Sequence, residues 1–295
     1  MSGETLSAID SYPRKRIAVA GTEIAYVDTG RGDPIVFLHG NPTSAYLWRN
    51  VIPHLAGLGR CLAPDLAGMG QSGKAPDGSY RFVDHARYLD AWFAALGLTQ
   101  KITLVVHDWG SALGFHWACR NRASVKGIAY MEAIVTPLRW DDWPEGARNI
   151  FQLMRGPAGE ELVLQKNIFV ERILPGAILR KLSDEEMAVY RQPWLEPGES
   201  RRPMLTWPRE IPVEGQPADV TAIVNDYARW LNSDPTLPKL FVNGEPGAIL
   251  IGRQREHCRK WPNQREVTAA GAHFVQEDSP HQIGQAIADW YKELK

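Results

Sequence analysis

The chain has few cysteines, almost no net charge and no long apolar run. Its three cysteines, Cys61, Cys119 and Cys258, are widely spaced and form no C-x-x-C pair, so neither a disulfide framework nor a zinc site is indicated. A formal net charge of -1 gives no overall field that would attract nucleic acid or an anionic membrane. The sequence contains no run of about 18 apolar residues, so it predicts no membrane span. The N-terminus lacks the apolar segment of a signal peptide. We therefore expect a cytoplasmic protein without nucleic-acid or membrane partners.

Tryptophan is more abundant than in most chains of this size. Many of the 11 tryptophans lie between residues 109 and 207. Such a concentration is typical of an aromatic-lined apolar cavity, but tryptophans serve equally well as core and surface anchors. Composition alone leaves both interpretations open.

Eight short runs rich in β-branched and aromatic residues predict strands. They lie at residues 16–20, 23–29, 34–39, 60–65, 101–107, 126–131, 239–243 and 265–270. From the third run onward most are followed by helical periodicity, at residues 45–58, 80–96, 111–122 and 279–294. This alternation indicates a mostly parallel eight-stranded sheet flanked by helices. Only Gly21 and Thr22 separate the first two runs, which predicts a hairpin at one edge.

The strand rhythm stops between Glu132 and about Pro212. This segment is rich in Trp, Phe, Pro and charged residues, with several short helical patterns and prolines at both of its ends. It predicts an inserted helical cap at residues 135–213, between two parts of an α/β core at residues 1–134 and 214–295.

Two motifs suggest nucleotide or metal binding but fail on their context. Residues 68–73 match G-x-G-x-x-G, and residues 68–74 nearly match a phosphate-binding loop, yet a turn follows where a helix must begin, and Ala75 replaces the required Ser or Thr. Glu256, His257 and Cys258 are adjacent on a predicted helix, and no second cluster completes a metal shell. We therefore expect no cofactor and no metal.

The most informative segment is residues 104–112, LVVHDWGSA, in which a buried strand runs straight into a helix. In α/β-hydrolases the nucleophile lies on such a turn, usually as the serine of G-x-S-x-G. Here Asp108 holds the central position, Val106 replaces the first glycine, and Gly110 keeps the last. Taken alone, Asp108 could equally be the cap of the helix.

Other parts of the same fold occur in the expected chain order. The sequence His-Gly-Asn-Pro at residues 39–42 follows the third predicted strand, Glu132 ends the sixth, and His273 follows the eighth. Longer strings, HGNPTSAYLWRN, LVVHDWGSALGF, GIAYMEAI, GEELVLQKN, LTWPREIP and GAHFVQEDSP, run over nearly the whole chain. On these strings the chain resembles the haloalkane dehalogenases of the α/β-hydrolase superfamily, and most of all the subfamily that includes the hexachlorocyclohexane-degrading enzyme.

The resemblance implies a role for five residues. Asp108 is the nucleophile, His273 the base, Glu132 the acid of the triad, and Asn41 and Trp109 are the two halide-binding side chains. The chemistry agrees, because a carboxylate can displace halide from an sp³ carbon and leave an ester that water can cleave. The expected partners are a haloalkane, a halide ion and water. The expected assembly is a monomer or a weak homo-oligomer.

The resemblance also implies a substrate pocket and tunnel, whose lining could equally be ordinary core. The implied lining residues are Trp143, Phe151, Phe169, Ala177, Trp207, Pro208, Ile249 and Phe274. Ala177 and Ala147 are small where similar members carry larger side chains, so the resemblance does not determine the substrate preference of this chain.

Several alternatives compete for these roles. His107 neighbours the nucleophile, but alternate strand residues face opposite ways, so we expect it to support the elbow. Glu245 ends the seventh predicted strand, where many α/β-hydrolases keep their acid; the resemblance favours Glu132.

Three other functions suit the same fold. An epoxide hydrolase would need cap tyrosines to protonate an alkoxide, and the cap offers only Tyr190. A fluoroacetate-type dehalogenase would need pocket arginines, which the elbow region does not supply. A ligand-binding receptor would have no use for the complete set of nucleophile, acid and base.

Overall fold

The computed structural model describes residues 6–294 and contains the predicted eight-stranded sheet. The strands are β1 (Lys15–Val19), β2 (Thr22–Thr29), β3 (Pro34–Leu38), β4 (Arg60–Pro64), β5 (Ile102–His107), β6 (Val125–Ala133), β7 (Lys239–Pro246) and β8 (Gln264–Gly271). Their order across the sheet is β1-β2-β4-β3-β5-β6-β7-β8. All eight sequence-predicted strands are thereby confirmed.

Only β1 and β2 run against the other strands. They form the predicted edge hairpin, β2 pairs antiparallel with β4, and the pairings from β4 through β8 are parallel. The central strands β3 and β5 are nearly continuous apolar runs, as expected where helices cover both faces. Because the carboxyl ends of parallel strands meet at one edge, the segments after β3, β5, β6, β7 and β8 converge there.

Ten α-helices surround the sheet or lie between its strands in the part of the chain that is described. They are α1 (Phe82–Ala95), α2 (Asp108–Arg120), α3 (Glu145–Arg155), α4 (Leu174–Gly176), α5 (Asp184–Arg191), α6 (Arg202–Glu210), α7 (Ala218–Ser233), α8 (Gly252–Cys258), α9 (Val275–Asp278) and α10 (Pro280–Glu293). The periodic segments at 80–96, 111–122 and 279–294 correspond to α1, α2 and α10. None of these helices is long and apolar enough to cross a membrane, within residues 6–294.

The helix predicted at residues 45–58 is wrong. The structure has two short 3-10 helices there, Ala45–Trp48 and Ile52–His54. Pro53 lacks the backbone N–H that a continuous helix requires and its ring clashes with the preceding turn, so the apolar pattern is buried without a long helix.

The segment between β6 and α7 is helical and covers the carboxyl edge of the sheet. It contains α3 to α6 and two π-helical turns, Glu160–Gln165 and Phe169–Ile173. Hydrogen bonds to the core include Trp194 Nε1 to the carbonyl oxygen of Pro42 at 3.1 Å. We call residues 135–213 the cap segment; its boundaries, and those of the two core parts, stay predictions.

A buried ion-pair cluster joins the cap segment to the core. Arg49 of the core donates to Glu277 at 2.6 Å and to Glu186 of α5 at 2.7 Å, and Arg180 donates to the same two carboxylates. Removing one partner of a fully buried pair typically costs about 3–5 kcal/mol, because a charge is left without compensation. The cluster therefore links the cap segment to the core through charges that are costly to leave unpaired.

Candidate active site

Asp108 lies on a strained turn between β5 and α2. Its φ is 49°, a conformation that costs a non-glycine residue about 1–3 kcal/mol and that the surrounding structure must stabilise. The turn packs so closely against the loop after β3 that two positions must be glycine. A Cβ on Gly110 would lie 2.2 Å from the carbonyl oxygen of Leu38, and one on Gly40 would lie 2.0 Å from Asp108 Oδ1. The turn presents the Asp108 carboxylate at the carboxyl edge of the sheet.

The loop after β3 holds one oxygen of this carboxylate. The backbone N–H of Asn41 donates to Asp108 Oδ1 at 2.8 Å. His39 is fully buried and accepts the backbone N–H of Leu66 through Nε2 at 2.9 Å, so it braces the loop and stays away from the triad. The bonded oxygen is thus fixed, and the other faces His273.

His273 lies between two carboxylates. Its Nε2 is 3.4 Å from Asp108 Oδ2, and its Nδ1 is 3.2 Å from Glu132 Oε2. Asp108 follows β5, Glu132 lies at the end of β6 and His273 follows β8, so the parallel sheet brings together side chains that are far apart in the sequence. An aspartate, a histidine and a glutamate in this order have the geometry of a nucleophile, a base and an orienting acid.

Glu132 is completely buried at the end of β6, with a φ of 40°. Its carboxylate accepts backbone N–H groups from Ala248 at 3.0 Å, Ile249 at 2.8 Å and Leu250 at 3.4 Å. The side chain of Glu245, in contrast, is 61% exposed, and its carboxylate is 3.3 Å from the guanidinium of Arg255. Geometry therefore favours Glu132 as the partner of His273.

The charges of the three groups are coupled. Burial acts to lower the pKa of His273, but hydrogen bonds and charge attraction to Asp108 and Glu132 outweigh it and raise the pKa to about 9. Burial acts to raise the pKa of Asp108, and the contacts with His273 outweigh it and hold that pKa below its ordinary value. Both shifts favour an ionised Asp108 beside a protonated imidazole in the free site.

His107 faces away from the cavity, as the strand alternation predicts. Burial lowers its pKa to about 3, with a further contribution from His273. The neutral ring places Nε2 2.8 Å from the backbone carbonyl oxygen of His273. A neutral imidazole N–H can donate this bond, which would fix the loop that carries His273.

Asp108 and His273 open into an apolar cavity of about 290 Å³ beneath the cap segment. Seven of the eight implied pocket residues line it: Trp143, Phe151, Phe169, Ala177, Pro208, Ile249 and Phe274. Trp207 lies elsewhere. It is fully buried, and its ring stacks on Trp109 at 4.6 Å and on His85 at 4.2 Å. Adjacent residues on a helix point about 100° apart, so α6 turns Pro208 toward the cavity and Trp207 away from it.

Asn41 and Trp109 lie in the cavity wall beside Asp108. Nδ2 of Asn41 gives one hydrogen to the carbonyl oxygen of Met204 at 3.1 Å, which leaves its second hydrogen for a ligand. Trp109 is held by the stack on Trp207. Two N–H donors at one end of an apolar cavity suit a weakly hydrated anion.

Sequence reasoning missed several wall residues. The additional apolar ones include Ile134, Leu138, Ile173, Ile211 and Ile251. Gln254 also lines the cavity, and its Nε2 donates to Asp142 at 3.1 Å. Gln254 lies in the charged run GRQREHC, and no local pattern distinguishes it from an ordinary helix residue. The backbone N–H groups that donate to Glu132 could not be predicted from the sequence either, because every residue except proline has such a group.

The sheet order and the strained strand-to-helix turn define an α/β-hydrolase, and the model of the α/β hydrolase fold family matches residues 33–280. A haloalkane dehalogenase of Sphingobium indicum is 60% identical over 285 residues, 96% of each chain. One of Mycolicibacterium smegmatis is 50% identical over 94% of this chain and 90% of its own. The crystal structure of haloalkane dehalogenase DbeA from Bradyrhizobium elkani USDA94 superposes with a TM-score of 0.91 at 46% identity, covering 96% of this chain and 98% of that one.

The chain belongs to the haloalkane dehalogenase family of α/β-hydrolases. The family predicted from the sequence strings is thereby confirmed, and with it the assignment as a hydrolase that acts on carbon–halogen bonds.

Proposed function

We propose that this enzyme hydrolyses haloalkanes to an alcohol, a halide ion and a proton, with Asp108 as the nucleophile. The observation that carries the proposal is the placement of the Asp108 carboxyl group in the wall of an apolar cavity, which Asn41 and Trp109 also line. Such a cavity binds an apolar substrate, and its few polar groups lie where charge changes during the reaction.

In the first step Asp108 Oδ2 attacks the carbon that bears the halogen. The new C–O bond forms as the carbon–halogen bond breaks, and the electron pair leaves with the halide. Charge moves from the carboxylate to the leaving atom, where Asn41 and Trp109 donate to it. The products of this step are an alkyl ester of Asp108 and a bound halide ion.

In the second step His273 activates water. Asp108 is one of the two carboxylates that raise the pKa of His273, and esterification removes its negative charge. The imidazole can then lose its proton and take one from water, which attacks the ester carbonyl. The N–H of Asn41, already on Oδ1, stabilises the oxyanion. Collapse breaks the bond between the carboxyl carbon and Oδ2. The departing alkoxide takes the proton from His273 and leaves as the alcohol, and the carboxyl group of Asp108 returns its proton to the imidazole.

Epoxide opening is less well supported. Tyr190, the tyrosine of the cap segment, is buried away from the cavity, and its hydroxyl donates to Glu277. No tyrosine lines the cavity among the described residues, and no arginine lines it for a substrate carboxylate. The site therefore lacks the groups that the epoxide and fluoroacetate reactions would need.

Halide release separates these functions directly. The purified enzyme should release bromide from 1-bromobutane and from 1,2-dibromoethane, and a simple epoxide such as 1,2-epoxybutane should remain unchanged. Diol formation from the epoxide without halide release from either bromide would refute the proposal.

Ala177 leads to a prediction about substrate size. It is half-buried at the edge of the cavity, and its carbonyl oxygen accepts the backbone N–H of Phe274 at 3.2 Å. Ala177→Trp should slow turnover of 1-bromohexane by roughly tenfold more than turnover of 1,2-dibromoethane, because the added ring narrows the entrance. The exposed Ala188 of α5 offers a matched control, Ala188→Trp. Equal slowing of both substrates would count against a gate at Ala177.

The pKa of His273 should depend on the charge of Asp108. In the wild-type enzyme the imidazole stays protonated as pH rises until about 9. Asp108→Asn imitates the loss of charge in the ester. Only Glu132 then acts against the lowering effect of burial, so the pKa of His273 should fall. Nitrogen chemical shifts of the ring, followed by NMR against pH, measure both values. An unchanged pKa in Asp108→Asn would contradict the proposed switch from acid to base.

We also propose that the enzyme acts in the cytoplasm as a monomer or weak homo-oligomer. The three cysteines are free, and Cys61 and Cys258 are buried, which suits a reducing compartment. Light scattering at micromolar concentration would detect a stable larger assembly, and cell fractionation would detect another location.

A further inference from the structure

The loop between β7 and α8, residues 247–251, serves both the cavity and the triad. Its backbone N–H groups at Ala248, Ile249 and Leu250 donate to Glu132. Side chains of Ile249 and Ile251 line the cavity. A loop without regular structure needs other contacts to aim three N–H groups at one buried carboxylate.

Arg255 of α8 supplies three such contacts, in addition to the bond from the backbone N–H of Gly247 to the carbonyl oxygen of Gly271 at 2.9 Å. Its Nε donates to the carbonyl oxygen of Leu250 at 2.7 Å, and its Nη2 donates to those of Pro246 at 2.9 Å and Gly244 at 3.1 Å. The first acceptor lies near the end of the loop, and the other two lie just before its start. A planar guanidinium fixes the direction of all three bonds at once, which a flexible ammonium group cannot do. One side chain therefore holds both ends of the loop.

Gly247 separates Arg255 from the triad acid. A Cβ on Gly247 would lie 3.0 Å from Arg255 Nη2 and 3.0 Å from Glu132 Oε1, so the two atoms are at most twice that distance apart. The guanidinium therefore lies close to the buried Glu132 carboxylate and to the loop that binds it.

We propose that Arg255 is a positioning residue for hydrolysis of the alkyl ester. It holds the loop that orients Glu132, and Glu132 orients His273. This inference rests on the proposed function, in which His273 acts only after Asp108 has been alkylated. Asp108 is ionised without the help of a base, so the first step does not depend on this chain of contacts. Loss of Arg255 should slow the second step alone.

Rapid-quench kinetics of Arg255→Gln with 1-bromobutane test this separation. The first bromide should appear at the wild-type rate, whereas ester hydrolysis should slow about tenfold, the size expected when hydrogen bonds to a charged group are weakened. Intact-mass analysis of quenched samples should find more butyl ester at steady state than in the wild type. Arg255→Lys keeps the charge without the planar fork and should accumulate ester to a smaller extent. Arg259→Gln is the control, because Arg259 pairs with Glu266 at the surface just after α8.

Two results would overturn the role of Arg255. One is slowing of the first bromide release by the same factor as ester hydrolysis, which indicates a general disturbance of the site. The other is ester hydrolysis at wild-type speed in Arg255→Gln or, if that variant does not fold, in Arg255→Lys. A wild-type enzyme that released no halide would instead refute the proposed function, so the two failures are distinguishable.

Discussion

His273→Phe should release about one halide ion per enzyme molecule from 1-bromobutane and then stop, because the two chemical steps need different residues. Asp108 attacks as a carboxylate and requires no base, whereas water must lose a proton to attack the ester. The missing imidazole therefore blocks the second step, and the butyl group remains on Asp108. The steady-state rate should fall below detection while the first turnover survives.

Mass spectrometry decides the outcome. Intact-mass and peptide analysis after exposure to 1-bromobutane should find a butyl adduct on the peptide that contains Asp108. Asp108→Ala is the matched control and should give neither halide nor adduct. An unmodified His273→Phe protein that also releases no halide would disprove the covalent route, and an adduct on another peptide would move the nucleophile to another residue.

Trp109→Leu should lower the turnover of brominated alkanes by on the order of 10²–10³, the usual effect of removing one donor at a developing charge. Trp109 lines the cavity together with Asp108, where the leaving halide gains its charge, and its indole N–H is a donor only. The substitution should also remove most of the quenching of tryptophan fluorescence by bromide, although ten other tryptophans remain in the chain.

Trp230→Leu controls for the loss of a tryptophan far from the cavity. Trp230 lies on α7, and its Nε1 donates to Asp234 at 2.8 Å. This variant should keep wild-type turnover and quenching. Wild-type speed in Trp109→Leu would show that the halide is stabilised elsewhere. Retained quenching in that variant would assign the fluorescence response to another indole.

Sequence reasoning performed well where a local pattern has one structural outcome. The run LVVHDWGSA predicted a strand-to-helix turn with Asp108 at its centre, and the structure has β5 end at His107 and α2 begin at Asp108. It performed poorly at residues 45–58, where apolar spacing was compatible with a helix but Pro53 was not. The resemblance implied that both Trp207 and Pro208 line the pocket, but only Pro208 does, because adjacent residues on a helix point in different directions.

The amino-acid sequence by itself determined the eight strands, the elbow residue and the identities of the polar residues of the site, because these follow from short stretches of sequence and their order in the chain. It left Glu132 and Glu245 as rival acids, since both lie near the ends of strands. Only the tertiary structure placed one beside His273 and the other in solvent. The same holds for the loop that binds Glu132, where donor and acceptor are 116 positions apart for Ala248. Contacts over such separations depend on how the sheet is assembled, and no local pattern records them.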